Sequence, residues 1–412
     1  MHICFFNRSY WPDQAATGQL LTELAEDLVA GYGCATTVVA GKALNAAAPT
    51  IASTWRPVVR EVHNGVRILR ANGTTYQPRK FAGRASNYLT YFGSSLAAGM
   101  AIKAPNVVVS LTDPPIVGLA AWWTARRTGA RFVFLCEDIF PEVAALLEDF
   151  HNPLVNSMLD RVNRFLLREA DAIVALGDRM RARLVDEKGA DPARVHVIHN
   201  WADCDRIRPG AKDNPFARAM GFADRFVLMH SGNVGMSQNL DVLIAAADLL
   251  RAKDRLRIAI VGDGSRRAWL EAEAARRNLS NVVFLPYQPK ETLHDSFAAA
   301  DAFLISLKAG IEGYIVPSKL YGILAAGRPY VAAVDPSCEA AEIAVSQRCG
   351  LLANPGDAAD LADKIAILYD APASTGKMGE NAREAALRFD RKVAVSQYYD
   401  LFAQLARVAR AA

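Results

Sequence analysis

Short apolar runs alternate along this chain with segments in which apolar residues recur at helical spacing. The first run covers residues 2–7 and the second covers residues 36–40. Between them, after a loop with Pro12, leucines recur on one helical face (Leu20, Leu21, Leu24 and Leu28). This order of strand, loop, helix and strand predicts the opening of a parallel, doubly wound α/β sheet.

The same alternation continues to the end of the chain. Further strands are predicted at 66–70, 106–111, 131–136, 172–176, 195–198, 227–230, 256–261, 282–285, 302–307, 330–334 and 350–353. A cluster of proline, glycine and charged residues at 209–215 is the best candidate linker. We therefore predict two similar α/β domains with a cleft between them, residues 1–205 and 206–388. An amphipathic helix over 389–412 carries its apolar face on Val395, Tyr398, Leu401, Phe402 and Leu405.

Two segments of the first half leave alternatives open. Residues 42–60 are predicted to be a long loop, of a length that indicates function or mobility. Residues 78–103 place Arg79, Lys80 and Arg84 beside aromatic and apolar residues. Such a segment suits an anionic membrane surface, although an ordinary helix covering the sheet is the favoured interpretation.

Composition narrows the class of protein. The 412 residues are 51% apolar and carry a formal charge of only +4, which argues against a dedicated nucleic-acid binder. Six cysteines are scattered without metal-ligand or disulfide-framework spacing, which fits a reducing cytoplasm. The first residues are typical of a strand rather than a signal peptide, and no apolar run reaches the roughly 18 residues of a membrane span. We expect a cytoplasmic protein.

Loops of small or polar residues follow several predicted strands. In the second half they contain Gly232, Asn233 and Gly235, then Gly262 and Gly264, and then Pro286 and Tyr287. Glycines at a strand-to-helix turn let the backbone approach a diphosphate closely. The loop after the first strand has only Ala16-Thr17-Gly18, so the dinucleotide-binding fingerprint is absent and a nicotinamide-dependent enzyme is disfavoured.

Carboxylates follow the strand at 131–136. Glu137, Asp138 and Glu142 stand where open α/β sheets bind their ligands, and this makes them catalytic or acceptor-site candidates. The alternative is structural, with Asp138 capping a helix ahead of Pro141.

The stretch 306–329 combines a carboxylate with a lysine. Glu312 lies between glycines, and Pro317-Ser318-Lys319 opens a short apolar helix over 320–326 that Gly327 and Pro329 close. A helix start with Lys319 suits a diphosphate, and an acid a few residues earlier suits sugar hydroxyls. Together they predict a nucleotide-sugar site, although Lys319 alone is equally compatible with a solvated surface position.

Taken in order, these motifs resemble the GT-B glycosyltransferases of family 4. The resemblance is to the bacterial capsule, O-antigen and colanic-acid exopolysaccharide branch, with N-acetylfucosaminyltransferase-like members. It rests on residues 7–18, 112–115, 137–142, 199–203, 231–235, 286–288 and 312–329. It implies two Rossmann-like domains, the last helix crossing back onto the first, and retaining transfer of a sugar from a nucleotide-sugar, with UDP favoured. The implied acceptor is a lipid-linked glycan at the cytoplasmic membrane surface.

The resemblance also implies roles for individual residues. Glu312 contacts the donor sugar, Lys319 neutralises the leaving diphosphate, and the Glu137/Asp138 loop faces the reaction. The residues expected to border the donor are Gly18, Gly232, Asn233, Gly235, Gly262, Gly264, Pro286, Tyr287, Ser318 and, near the ribose, Glu339. No cofactor or metal is expected, because Lys319 supplies the charge that a divalent ion gives elsewhere.

Two departures from the family pattern keep other functions open. The arginine and lysine that often follow the glycine loop are replaced by Met236-Ser237-Gln238-Asn239, and the position eight after Glu312 is Leu320 rather than a glutamate. A nucleotide-sugar epimerase of the same architecture and a non-catalytic partner subunit of a transferase are the alternatives.

Overall fold

The computed structural model describes residues 1–13, 15–42, 56–76, 81–147 and 152–408. They form two compact units. Domain 1 comprises Met1–His199 together with the chain from Ala394 onward, and domain 2 comprises Asn200–Val393. Most of the predicted loop at 42–60, and Arg79 and Lys80 of the basic segment, lie outside the described residues.

The described part of domain 1 contains an eight-stranded sheet in the order β3-β4-β2-β1-β5-β6-β7-β8. Its strands are β1 (His2–Phe6), β2 (Ala35–Ala40), β3 (Val58–His63), β4 (Val66–Ala71), β5 (Val107–Ser110), β6 (Arg131–Cys136), β7 (Ala172–Ala175) and β8 (Val195–Val197). All neighbouring pairs are parallel except β3 with β4. Ile3 to Phe6 are wholly buried, as expected where helices cover both faces of a parallel sheet.

Six helices connect these strands in the described residues. They are α1 (Ala16–Ala30), α2 (Phe81–Ala101), α3 (Val117–Thr128), α4 (Glu142–Leu146), α5 (Pro153–Glu169) and α6 (Asp178–Asp186). The start of α5 shows how sequence sets an end: the Asn152 side chain accepts hydrogen bonds from the amides of Leu154 and Val155, and Pro153 fills the first position.

The edge strand β3 corrects the prediction of a loop over 42–60. The exposure of its residues alternates from Val59 to His63, with Arg60 and Val62 exposed, as in an edge strand that packs on one face only. Asn64 and Gly65 follow it with φ angles of 46° and 79°. Asn-Gly with both φ angles positive is the favoured two-residue turn between antiparallel strands. The turn therefore joins β3 to β4, and this hairpin signal in the sequence was missed.

Gly18 also lies elsewhere than predicted. It belongs to the first turn of α1, which begins at Ala16, and not to the preceding loop. A side chain at Gly18 would place its Cβ 3.2–3.3 Å from Ser9 and Tyr10 atoms, so the glycine lets the loop pack closely on the helix. Close packing of the loop on α1 therefore explains why a glycine occupies position 18. Its expected place beside the donor stays a prediction.

Helix α2 covers the sheet, as the favoured interpretation of that segment predicted. It packs against β2, β4 and α3, and the buried Tyr91 hydroxyl donates a hydrogen bond to the Val39 carbonyl. Leu89 and Met100 on its outer side are about 60% exposed. Among the residues that the structure describes, no helix has both the length and the apolar character needed to cross a membrane.

Domain 2 holds a six-stranded, wholly parallel sheet in its described residues, in the order β11-β10-β9-β12-β13-β14. Its strands are β9 (Phe226–Ser231), β10 (Leu256–Val261), β11 (Val282–Leu285), β12 (Ala302–Ser306), β13 (Tyr330–Ala333) and β14 (Gly350–Ala353). Its helices are α7 (Pro215–Ala219), α8 (Asp241–Leu249), α9 (Arg267–Arg276), α10 (Leu293–Ala298), α11 (Lys319–Ala325), α12 (Glu339–Ser346), α13 (Ala358–Asp370) and α14 (Pro372–Ala386). Two 3₁₀ turns, Met236–Gln238 and Leu387–Phe389, complete it.

The final helix, α15 (Arg391–Val408), joins domain 1 from Ala394 on. Its apolar face is buried at Val395, Tyr398, Leu401 and Phe402. Phe402 packs edge-on against Phe5 of β1 at 6.1 Å between ring centroids, and Tyr399 stacks on Tyr32 at 4.2 Å. Leu405, predicted on the same face, is partly buried.

A buried lysine fastens α4 inside domain 1. The Lys188 side chain is 1% exposed, and its amine donates to carboxylate oxygens of Glu142 and Asp160, each at 2.6 Å. Because Glu142 opens α4 and Asp160 lies on α5, the lysine ties both helices to the end of α6.

We predict that Lys188→Met destabilises domain 1 by about 2 kcal/mol, because hydrogen bonds to charged groups are the stronger ones and two are lost. The control is Arg126→Met, which removes the largely exposed partner of Glu169 and is expected to change stability little. Denaturant unfolding followed by circular dichroism compares the two. Equal unfolding midpoints for the two variants would contradict the stabilising role of Lys188.

Candidate functional site

The strand order of domain 2 reverses between β9 and β12. Strands β10 and β11 lie on one side of β9, whereas β12, β13 and β14 lie on the other. In an open parallel sheet the loops at the carboxyl ends of the strands diverge at such a reversal and leave a crevice for ligands. The loop after β9 begins at Gly232 and therefore stands at this point.

Two glycine loops touch each other beside the crevice. Gly232 has a φ of 130° and Gly262 a φ of 140°, conformations open essentially to glycine alone. A Cβ on Gly262 would lie 1.8 Å from the carbonyl oxygen of Gly232, and a Cβ on Gly264 would lie 2.4 Å from that of Val234. The amide of Val234 donates to the Asp263 carbonyl at 2.9 Å. The loops are thus packed backbone on backbone.

The remaining predicted donor-side residues of these loops lie around that contact. A Cβ on Gly235 would meet the Asn233 side-chain nitrogen at 2.8 Å, so the glycine makes room for the amide. The Tyr287 hydroxyl donates to the Asp263 carbonyl at 3.4 Å and links the loop after β11 to the loop after β10. Pro286 and Tyr287 are exposed, with Tyr287 at 49%.

The Lys319 side chain turns toward the first glycine loop. The Cβ position built on Gly232 lies 3.6 Å from Lys319 Cε and 3.8 Å from Lys319 Nζ. The amine donates to Gln238 Oε1 at 2.5 Å and lies 3.4 Å from His230 Nε2. Burial lowers the pKa of Lys319 to about 7, because an ammonium loses hydration there. The amine is therefore poised to gain or lose a proton near neutral pH.

His230 completes this group of side chains. It is wholly buried at the end of β9, and its Nε2 lies 3.2 Å from the Asn233 carbonyl oxygen. Burial, and then the nearby Lys319 charge, hold the pKa of His230 well below its usual value. A neutral imidazole that donates to a carbonyl fixes the loop without adding charge.

Glu312, Ser318 and Glu339 lie on the other side of the reversal. Glu312 is partly exposed in the turn after β12, Ser318 precedes α11, and the buried Glu339 opens α12. Burial raises the pKa of the Cys338 thiol to about 12, and the charges of Glu339 and Glu312 add to that rise. The charges of Glu339 and Glu312 therefore both reach the Cys338 thiol, which lies just before α12.

A second group stands at the corresponding reversal in domain 1, between β1 and β5. Arg8 Nε and the Ser9 hydroxyl, just after β1, donate to the two oxygens of Asp113 at 3.1 and 2.7 Å. The Arg8 guanidinium also lies 5.4 Å from the centre of the Tyr88 ring. The amide of Asp138 donates to the Thr112 hydroxyl at 3.3 Å, which joins the loop after β6 to this group.

Glu137 and Asp138 are half-buried in that loop. Burial, with the charge of Asp138, raises the pKa of Glu137 to about 8, and burial, with the charge of Asp113, raises the pKa of Asp138 to about 7. The capping interpretation of Asp138 is wrong, because α4 begins at Glu142 behind Pro141 with no side-chain cap. Two carboxyl groups that titrate near neutral pH are suited to exchanging a proton with a hydroxyl.

The predicted site residues thus fall into groups within their own domains. Gly232, Asn233, Gly235, Gly262, Gly264, Tyr287 and Lys319 come together in domain 2, and Glu137 and Asp138 lie together in domain 1. Sequence reasoning missed Gln238, the partner of Lys319, although the replacement of the usual cation pair by Met236-Ser237-Gln238-Asn239 marked its position. Within the described ranges, no three histidine, cysteine, aspartate or glutamate side chains are placed to hold a metal ion.

Comparison with known proteins identifies both halves of the chain. Residues 16–201 match the family model of the glycosyl transferase 4-like domain, and residues 216–385 match that of the glycosyl transferases group 1. The two matches follow each other in the order of domain 1 and domain 2.

Curated relatives align over part of their length. The probable glycosyltransferase WbjE of Pseudomonas aeruginosa is 28% identical over 63% of this chain and 65% of its own. The putative colanic acid biosynthesis glycosyl transferase WcaI of Escherichia coli is 31% identical over 49% of this chain and 51% of its own. The alignments thus span about half to two thirds of these relatives.

A solved structure matches over nearly the whole chain. HepE of Anabaena, crystallised with UDP, superposes with a TM-score of 0.74 at 17% identity and covers 98% of this chain and all of its own. At this identity the likeness concerns the fold, which is GT-B.

We predict that Gly262→Ala strains the glycine loops, because its φ costs about 1–3 kcal/mol for a residue with a Cβ and the added atom also meets the Gly232 carbonyl. Gly356→Ala is the matched control, since Gly356 also has a positive φ but no atom within 4 Å of a built Cβ. Thermal unfolding is the measurement. A Gly262→Ala variant no less stable than Gly356→Ala would contradict the backbone contact.

Proposed function

Because the chain joins a glycosyl transferase 4-like domain to a group 1 glycosyl transferase domain in the GT-B fold, we propose that it is a retaining glycosyltransferase. It moves a hexosyl or N-acetylhexosaminyl group, such as N-acetylfucosamine, from a UDP-sugar to a lipid-linked glycan during synthesis of a cell-surface polysaccharide. The observation that carries the proposal is the placement of the Lys319 amine against the glycine loop of Gly232.

The diphosphate of the donor binds at that loop. Backbone amides of a glycine turn offer donors to phosphate oxygens, and glycines let the ligand come close. The Lys319 amine adds the cation. When the bond to the sugar breaks, negative charge collects on the leaving diphosphate, and a cation already held there stabilises the transition state more than the ground state.

Carboxylates direct the rest of the donor. Glu312 accepts hydrogen bonds from hydroxyls of the donor sugar, and Glu339 takes the ribose. Gly262, Gly264, Pro286 and Tyr287 border the uridine, with the exposed Tyr287 ring available to a base. UDP is the nucleotide that the HepE structure contains, and this supports the choice of donor.

Domain 1 takes the acceptor. Glu137 and Asp138, with pKa values of about 8 and 7, exchange hydrogen bonds with an acceptor hydroxyl in either protonation state. The resemblance to exopolysaccharide enzymes, WcaI among them, favours a lipid-linked glycan at the inner face of the membrane. The leaving phosphate takes the acceptor proton in a front-face substitution, and no metal is required.

We predict that Lys319→Met lowers the rate of sugar transfer at least about 100-fold, because it removes charge stabilisation at the leaving group. Purified protein is incubated with UDP-sugars and lipid-linked acceptors, with and without a metal chelator, and products are separated by mass. Lys377→Met, which removes an exposed lysine paired with Glu380, is the control and is expected to transfer normally.

Two results would overturn these roles. Transfer by Lys319→Met at the wild-type rate would remove the lysine from the mechanism. Loss of transfer on chelation, with recovery on adding a divalent ion, would show that a metal carries the charge.

We also predict that UDP affinity falls as pH rises from about 7 to 9. The free protein holds Lys319 with a pKa of about 7, so above that pH the amine is neutral and must take up a proton to pair with the diphosphate. Affinity should drop about tenfold per pH unit. Calorimetry in buffers of different ionisation enthalpy measures both the affinity and the proton uptake.

Lys319→Arg provides the comparison for this pH dependence, because a guanidinium stays charged throughout the range. Its affinity for UDP should be nearly flat from pH 7 to 9. A flat profile for the wild type as well would contradict the role of Lys319 ionisation.

A further inference from the structure

The side-chain amide of Gln238 is the hydrogen-bond acceptor of the Lys319 amine in domain 2. We propose that Gln238 is a positioning residue that holds this amine against the glycine loop and keeps it available to an anion there. The inference rests on the proposed function, because the anion concerned is the donor diphosphate.

Several contacts fix Gln238 itself. It is 7% exposed, and its Nε2 donates to the Ser237 hydroxyl at 3.0 Å, so the amide oxygen points to Lys319. The Ser237 carbonyl accepts from the amide of Lys308 at 2.8 Å, and the amide of Gln238 donates to the Gly235 carbonyl at 3.2 Å. The 3₁₀ turn is therefore fastened both to the glycine loop and to the chain after β12.

A neutral acceptor suits this position better than the alternatives. A carboxylate would neutralise the lysine and compete with an incoming diphosphate. An apolar side chain would leave a partly buried, poorly hydrated amine without this acceptor, which is costly. An amide oxygen holds the ammonium by one hydrogen bond and leaves its charge for the ligand. The turn that lacks the usual cation pair thus contributes by orienting a lysine from elsewhere in the domain.

His230 does not replace Gln238 in this role. It is the titratable group that faces the amine from β9, and its Nε2 is directed to the Asn233 carbonyl. Because a carbonyl only accepts, a proton on Nε2 satisfies the Asn233 carbonyl, and in that tautomer Nε2 offers Lys319 no lone pair. Removing the Gln238 amide should therefore leave the ammonium less stable, and the lysine should lose its proton at a lower pH.

The first test titrates Lys319 directly by nuclear magnetic resonance with ¹³C-labelled lysine, the signal being assigned through its loss in Lys319→Met. Gln238→Leu should lower the titration midpoint by about one pH unit, and Gln238→Glu should raise it by at least as much. Gln347→Leu is the matched control, since Gln347 likewise donates to its preceding serine, and its midpoint should equal that of the wild type.

An unchanged midpoint in Gln238→Leu would overturn the inference. If Gln238→Leu does not fold, the Gln238→Glu variant decides, and the absence of an upward shift overturns it equally. The titration needs no substrate, so its result does not depend on the proposed function. The proposed function is contradicted by a different result, namely that the wild-type protein transfers sugar from none of the donors.

The second test compares kinetics across pH. In Gln238→Leu, kcat/KM for the UDP-sugar at pH 8 should fall about tenfold, with the falling limb of the profile moved to lower pH. Gln238→Glu should move the limb to higher pH while raising KM for the donor, because its carboxylate competes with the diphosphate. A merely structural role would lower activity at all pH values and leave the limb in place, which would contradict the proposal.

Discussion

Parallel strands end at one edge of their sheet, and this constraint places both groups of polar residues. In each domain the order of strands reverses once beside the first strand, so the loops that follow the central strands diverge there. The strand order thus sets where the crevice lies in each domain, and the sequence of the adjoining loops sets which side chains line it. In domain 2 it is filled by glycines whose backbones touch and by a lysine, whereas in domain 1 it is filled by carboxylates and Arg8.

Under the proposed function, the chemistry in domain 2 depends on how the Lys319 amine is held. Lys319 is partly exposed, loss of hydration lowers its pKa to about 7, and its amine donates a hydrogen bond to Gln238. If the proposed function is correct, this arrangement is how a chain without the familiar arginine and lysine after the glycine loop neutralises the charge of a diphosphate. It also weakens the case for a non-catalytic subunit, which rested on that missing pair. A lysine held by a neutral amide would supply the positive charge that the arginine and lysine pair supplies in other members of the family.

The strands and glycine loops were predictable, because a buried parallel strand is a continuous apolar run and the glycines that follow it are its neighbours in sequence. Strands β6, β10, β11 and β14 have the predicted bounds. The hairpin at Asn64-Gly65 was not predicted because VVREVH lacks the period-2 apolar pattern of a strand, with Val62 on its exposed side. Gln238 was missed for another reason: its partner lies 81 positions away, and pairing over that distance is set by tertiary packing. The capping interpretation of Asp138 failed because Pro141 takes the N-cap position of α4 and no side chain caps the helix.

Loss of hydration at the Lys319 amine has a consequence for the stability of the protein. Its native pKa of about 7 lies below the value of 10.5 in an unfolded chain, so unfolding between these pH values takes up a proton. The residue therefore opposes folding, fully below pH 7 and no longer above the unfolded value. An anion bound at the amine, as the proposed function requires, would offset this cost, so the protein without its ligand would be the less stable form.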